Sequence, residues 1–117
     1  MTTRTWAFTI DLAQDFTPNI DVERQSTTTG DYEAYSGITG VTMHLSATET
    51  GSAIDAALSK AASERSATPG RIHATFDVAD LQTYLTSYRS KTVWLVLTKS
   101  GELVGKSLAC LVTRNGA

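Results

Sequence analysis

The chain has 117 residues, of which 41% are hydrophobic and 19% are charged, with a net charge of -2 and a pI of about 5.6. Because this length suits one domain whose core needs no disulfide or metal, we expect a single domain over 1–117 and no disorder of the whole chain. The absence of a basic stripe and of a long apolar segment argues against nucleic-acid and membrane partners.

The first predicted strand covers residues 5–10, where Trp6, Phe8 and Ile10 alternate with polar or small residues. Alternation with period two is typical of a half-buried strand. Asp11 ends the apolar stretch too early for the hydrophobic region of a signal peptide, so we expect synthesis and folding in the cytoplasm.

A second strand follows, in which Phe16, Ile20 and Val22 share one face. Pro18 lies within this run and has no backbone N–H to donate to a neighbouring strand. We therefore expect this strand to lie at a sheet edge, or to begin only after Pro18.

Residues 25–37 are rich in Thr and Gly and predict a loop, which Tyr32 and Tyr35 would order. The next strand is predicted from Val41, Met43 and Leu45, which alternate with polar residues. Segment 53–65 is ambiguous, because its apolar positions fit both a helical and a strand spacing. Its alanines favour helix, whereas the turn residues at both ends favour strand, and strand is slightly preferred.

In the second half of the chain, residues 68–70 predict a turn and residues 72–78 predict a strand. A short helix is predicted within 78–88, with Asp77 or Asp80 as its cap. The apolar run 93–97 predicts a central strand, and a hairpin at Gly101 leads into the last strand. This order predicts an all-β antiparallel sandwich with one short helix. We expect both tryptophans, Trp6 and Trp94, to be core aromatics, and the buried residues to include Trp6, Phe8, Phe76, Val93, Leu95 and Leu97.

No arrangement of residues indicates catalysis. His44 and His73 both lie on polar strand faces, and no carboxylate or cysteine completes a metal site at ligand spacing. Neither a nucleophile elbow nor a nucleotide-binding loop occurs. Cys110 sits in an apolar run and predicts a buried, inert thiol. We therefore expect no enzyme activity, no cofactor and no metal.

In its succession of turns and strands the chain resembles a family of small immunoglobulin-like domains from tailed phages, similar to the N-terminal domain of the baseplate upper protein and its stand-alone relatives. Four segments carry the resemblance: the polar turn 11–15 after the first strand, the segment 35–43 with Gly37 and Gly40, the strand from Gly70 to Asp77 with its helix, and the final hairpin at Gly101. The loop 25–32 is expanded relative to the family, and Tyr35 or Ser36 stands where the family has leucine.

The resemblance implies an immunoglobulin-like fold and a virion location. It implies a structural role as a head decoration (cement) protein or a small tail or baseplate adaptor, present in many copies, with phage capsid or tail proteins as partners. For this role we expect contacts at the edge strand and the threonine-rich loop, through Phe16, Ile20, Val22, Tyr32 and Tyr35. The alternative is a carbohydrate- or ligand-binding sandwich for host-surface attachment, in which Tyr32, Tyr35 and Tyr88 would stack on sugar rings.

Overall fold

A computed structural model describes residues 2–3, 8–104 and 108–113. These residues form strands in two sheets with one short helix, which confirms the predicted all-β fold class. The elements are β1 (Thr2–Thr3), β2 (Phe8–Asp11), β3 (Asn19–Gln25), β4 (Tyr32–Ala34), β5 (Val41–Ser46), β6 (Ser59–Ala61), β7 (Ser63–Glu64), β8 (Arg71–His73), α1 (Val78–Leu85), β9 (Thr92–Lys99), β10 (Glu102–Leu103) and β11 (Leu108–Thr113), with 3₁₀ turns at Ala56–Leu58 and Thr86–Tyr88.

The larger sheet has six strands in the order β2-β11-β9-β5-β6, and β10 also pairs with β9. Strand β9 lies in its middle, with β11 on one side and β5 on the other. Both edges of the strand are therefore paired, and its apolar run supplies buried side chains to both faces, Val93, Leu95 and Leu97 on one and Val96 on the other. The predicted central strand is thus confirmed.

One strand pair departs from the predicted antiparallel arrangement. Strands β2 and β11 are parallel, with Phe8 opposite Cys110, while the pairs in the middle of the sheet are antiparallel. Almost the whole chain separates these two strands, so no hairpin forces them to run in opposite directions. The parallel pair lies at the sheet edge, where β2 is the outermost strand.

The smaller sheet has the order β1-β3-β8-β7, and β4 also pairs with β3. Strand β3 begins at Asn19, directly after Pro18, which confirms the prediction that the strand starts beyond the proline. The alternative prediction of an edge position is wrong, because β3 has β1 and β8 as neighbours. The proline lies outside the ladder and therefore removes no hydrogen bond from it.

The core lies between the two sheets and includes Phe76, Val93, Leu95 and Leu97, as predicted. Phe8 is only half-buried and packs at the margin of the core, while Trp6 lies outside the described residues. The inward positions of β9 are Val93, Leu95 and Leu97, so Trp94 points to the opposite side of the sheet. The prediction that Trp94 packs between the sheets is therefore wrong.

The ambiguous segment 53–65 contains neither a long strand nor an α-helix. A single 3₁₀ turn at Ala56–Leu58 precedes the short strands β6 and β7. The Asp55 carboxylate accepts a hydrogen bond of 2.9 Å from the Ala57 amide, and Leu58 is fully buried. Strand was the better of the two alternatives, but only from Ser59 onward.

Helix α1 and its 3₁₀ extension end at Tyr88, in agreement with the predicted range of 78–88. The helix is not capped by Asp77 or Asp80 through a side chain. Instead, Oδ1 of Asp15 accepts a hydrogen bond of 2.8 Å from the Val78 amide. Within the part of the chain that the structure describes, no helix is long and apolar enough to cross a membrane.

Candidate functional site

Three of the five predicted contact residues are buried. Phe16 is 8% exposed, Ile20 is fully buried and Val22 is 1% exposed. The Phe16 ring stacks on Phe76 with centroids 6.0 Å apart, so it belongs to the core. Ile20 and Val22 face the interior because they alternate with the outward residues of β3, whereas Phe16 precedes that strand and is paired with Phe76. None of the three is available to a partner in the folded domain.

The other two predicted residues, Tyr32 and Tyr35, lie at the surface of the smaller sheet. Tyr32 is 58% exposed, whereas Tyr35 is half-buried beneath the guanidinium of Arg24, which lies 5.1 Å from its ring centroid. Arg24 also forms an exposed ion pair of 3.5 Å with Glu33. Because exposed ion pairs contribute little to stability, the cluster of Arg24, Glu33 and Tyr35 orients these side chains but adds little to the free energy of folding.

Strand β4 supplies the open edge that was predicted for the strand after Pro18. Within the described residues it pairs only with β3, and all three of its residues are exposed. The Tyr35 amide donates to the Val22 carbonyl over 2.9 Å, and bonded pairs alternate with unbonded ones in an antiparallel ladder. The amides of Tyr32 and Ala34 therefore point away from β3, where another strand could accept from them.

The threonine-rich loop beside β4 is held by local hydrogen bonds. The Ser26 hydroxyl accepts from the amides of Thr28 and Thr29 over 3.2 and 3.3 Å. The Ser26 amide donates to the Asp31 carbonyl over 2.7 Å, which closes the loop at its base. Such side-chain bonds to backbone amides give the loop a defined shape before any partner binds.

A cavity of about 380 Å³ lies next to β4, and its lining includes Tyr32, Glu33, Asp21 and Arg71. Arg71 donates to both carboxylate oxygens of Asp21, from Nε over 2.7 Å and from Nη2 over 3.3 Å. The hydrogen bond and the charge of Asp21 raise the pKa of Arg71 above its usual value. The bidentate geometry fixes the guanidinium plane at the boundary between this cavity and a second one.

Gly70 and Glu64 join the strands beneath this surface. Gly70 has φ = +79° and donates to Oε2 of Glu64 over 2.7 Å, and the same carboxylate accepts from the Gly37 amide over 3.0 Å. The Gly70 carbonyl accepts from the Val22 amide over 2.8 Å. The sequence predicted the turn at residues 68–70, but not Glu64, because a carboxylate that bonds distant amides leaves no local pattern.

The second cavity, of about 580 Å³, is lined by polar groups and one aromatic ring: Phe8, Thr17, Asn19, Arg65, Ser66, Ala67, Thr68 and Arg71. Arg65 donates from Nε to the Asn19 side-chain oxygen over 3.0 Å. No carboxylate is among these lining residues. The cavity therefore presents hydroxyl, amide and guanidinium groups beside the half-buried Phe8.

The two histidines cannot share a ligand, because they lie on different sheets with their side chains directed to opposite outer faces of the domain. Nε2 of His44 donates to the Gly51 carbonyl over 2.9 Å, and Nδ1 of His73 donates to the Ser63 carbonyl over 3.1 Å. Over the described ranges, no group of three or more metal-ligating side chains is present. Cys110 is buried, and desolvation raises its pKa to about 12, as expected of an inert thiol.

The outer face of the larger sheet carries an apolar surface that the sequence did not predict. We name it the Trp94 face and define it by Trp94, Leu103, Ala109 and Leu111; Val96 points to the same side but is only 2% exposed. Leu103 and Leu111 are 45% and 47% exposed. The run 93–97 could have indicated this surface, because successive side chains of a strand point to opposite faces and all five residues are apolar.

Comparison of the chain with protein-family models, curated proteins and solved structures found no match.

Proposed function

We propose that this protein is a structural component of a tailed-phage virion, an immunoglobulin-like domain that serves as a head decoration protein or a small tail or baseplate adaptor. Support comes from the sequence resemblance to small phage domains and from the two-sheet fold with one short helix. In this role the protein acts by protein–protein contact, with capsid or tail proteins as partners, and not by catalysis.

The observation that carries the proposal is the open edge of β4 beside the ordered threonine-rich loop. Strand addition at such an edge is a common way to dock an extended segment of another protein. Since β4 has three residues, it offers few outward hydrogen bonds, and each contact is weak. Repetition over a symmetric particle then provides occupancy, because linked sites raise the effective concentration of the partner.

A titration of the purified protein against dissociated partner subunits and against assembled heads or tails tests this mechanism. We expect weak binding to a single subunit and much tighter, saturable binding to the assembled particle. Equal affinity for both forms would contradict the repetition mechanism and favour the ligand-binding alternative.

A substitution at the edge tests the contact itself. Ala34→Pro removes an amide that points away from β3 and so leaves the β3–β4 ladder intact. Ala34→Ser is the matched control, because it changes the same side chain and keeps the amide. We expect the proline variant to lose particle binding while both variants unfold cooperatively. Binding that survives in Ala34→Pro would exclude strand addition at β4.

Carbohydrate or ligand binding for host attachment is the second candidate, and the polar cavity at Phe8 and Arg65 is the observation that favours it. The predicted tyrosine platform is not assembled, since Tyr88 lies on the 3₁₀ turn that leads into the larger sheet, whereas Tyr32 and Tyr35 belong to the smaller one. A glycan array with the wild-type protein and Arg65→Gln distinguishes the candidates. Glycan binding lost in Arg65→Gln would favour this function over the virion role.

A further inference from the structure

We infer that the Trp94 face is the contact surface of a homodimer in which two copies of this chain pack their larger sheets against each other. The inference is independent of the virion role. It starts from strand alternation: Val93, Leu95 and Leu97 are buried in the core, so Trp94 and Val96 point outward. Cys110 and Val112 are buried on β11, which places Ala109 and Leu111 on the same outer face.

Within the described residues, these apolar side chains share the outer face of the sheet. Ala109 is directly opposite Trp94, and Leu103 is opposite Thr98 on the other half of β9. Val96 is only 2% exposed although it does not belong to the core between the sheets, so neighbours on the outer face already cover it. The exposed leucines lie on β10 and β11, both of which flank the same side of β9, and an exposed apolar patch of this kind marks an interaction site.

The distribution of charge identifies a second copy as the occupant. The chain has 10 basic and 12 acidic residues, yet among the strand positions of this face that the structure describes, the ionisable side chains are Asp11 and His44. The outer face of the smaller sheet, in contrast, carries Asp21, Glu23 and Arg71. In a two-fold dimer each face meets its own copy, so a charged face would repel itself, whereas a nearly uncharged one would not.

The size of the face fits a dimer of modest affinity. Five strand positions about 4.8 Å apart, with strands of about six residues, give a flat area of roughly 500 Å² per copy. The pair would bury roughly 1,000 Å², near the lower limit for a specific interface. We therefore expect a reversible dimer that dissociates at micromolar concentration, not an obligate one.

The oligomeric state of the full chain, measured by sedimentation equilibrium between about 1 and 500 µM, tests the inference. We expect the mass to rise from monomer to dimer in this range. Leu111→Asp should weaken dimerisation at least about tenfold, because two-fold symmetry brings two carboxylates into the contact. Ala79→Asp is the matched control: it adds the same charge at an exposed position in the first turn of α1, where an acidic residue is favourable.

A second measurement keeps the test independent of any loss of folding in the variant. In amide NMR spectra of the wild-type chain, signals from Trp94, Ala109 and Leu111 should shift with concentration, while those of Asp21 and Arg71 should stay constant. A monomer throughout the range would overturn the inference. So would a dimer that Leu111→Asp leaves unchanged, or concentration-dependent shifts confined to the smaller sheet.

Discussion

Replacement of Gly70 by alanine should destabilise the fold far more than the same change at Gly30. Both glycines have nearly the same backbone conformation, with φ of +79° and +78°. A left-handed conformation costs a residue with a side chain roughly 1–2 kcal/mol, and this term is shared by the two variants. The difference in the free energy of unfolding between the two variants therefore depends on the atoms that surround the added methyl group.

At Gly70 the new Cβ would lie 2.8 Å from the Val22 carbonyl oxygen and 2.9 Å from the Tyr35 amide nitrogen. These two atoms bond each other across β3 and β4, and both belong to the backbone, so neither can rotate away. Separating them leaves the two groups poorly paired, which costs about 1–3 kcal/mol. At Gly30 nothing lies within 4 Å of the added atom.

We expect the free energy of unfolding to fall by about 2–5 kcal/mol in Gly70→Ala and by about 1–2 kcal/mol in Gly30→Ala. Urea denaturation followed by far-ultraviolet circular dichroism measures both values. In Gly70→Ala the Tyr35 amide should also lose its protection from hydrogen exchange. Equal losses in the two variants would refute the argument, because they would show that the junction of β3, β4 and the turn relaxes without cost.

Three further predictions concern single side chains. Asp15→Ala should lower the free energy of unfolding by about 1 kcal/mol, because α1 loses its cap, and Asp77→Ala should lower it clearly less. Thermal denaturation measures both, and a larger effect at Asp77 would contradict the observed cap. His44→Ala should cost about 1 kcal/mol, because the Gly51 carbonyl loses its partner, and calorimetry with zinc should show no stoichiometric binding by the His44 and His73 pair. Cys110 should stay unreactive to a thiol reagent at pH 8 until the protein unfolds. Since its folded pKa is raised from 9.0 to about 12, the wild type should lose stability more steeply between pH 9 and 12 than Cys110→Ala.

The sequence predicted where the strands and the helix lie along the chain better than it predicted which strands pair with each other. Period-two alternation located β5 and the beginning of β8, although β8 ends at His73 and not at residue 78, and Pro69 with Gly70 located the turn before it, because these signals are local. The position of β3 within its sheet depends on which strands pair with it, and that information is spread over distant segments. Pro18 therefore indicated correctly where the strand begins, but incorrectly that the strand is an edge.

For three of the five residues, the prediction of contact residues was wrong for a related reason. Phe16, Ile20 and Val22 form an apolar face, and such a face is either core or interface; the sequence alone does not distinguish the two. Tyr32 could be predicted at the surface because the sequence around it is polar. Trp94 was misplaced because a run with apolar side chains on both faces does not reveal which face is inside.

The parallel pair of β2 and β11 has a consequence for how the chain is made. Its members are far apart in sequence: the Thr113 hydroxyl donates to the Ile10 carbonyl across 103 positions. Closing so long a loop has an entropic cost that precedes any gain from pairing, and folds dominated by such contacts form slowly. During synthesis the larger sheet cannot be completed until β11 has left the ribosome. Until then the apolar strand β9 lacks one neighbour, so this part of the nascent chain is most prone to aggregate just before β11 emerges.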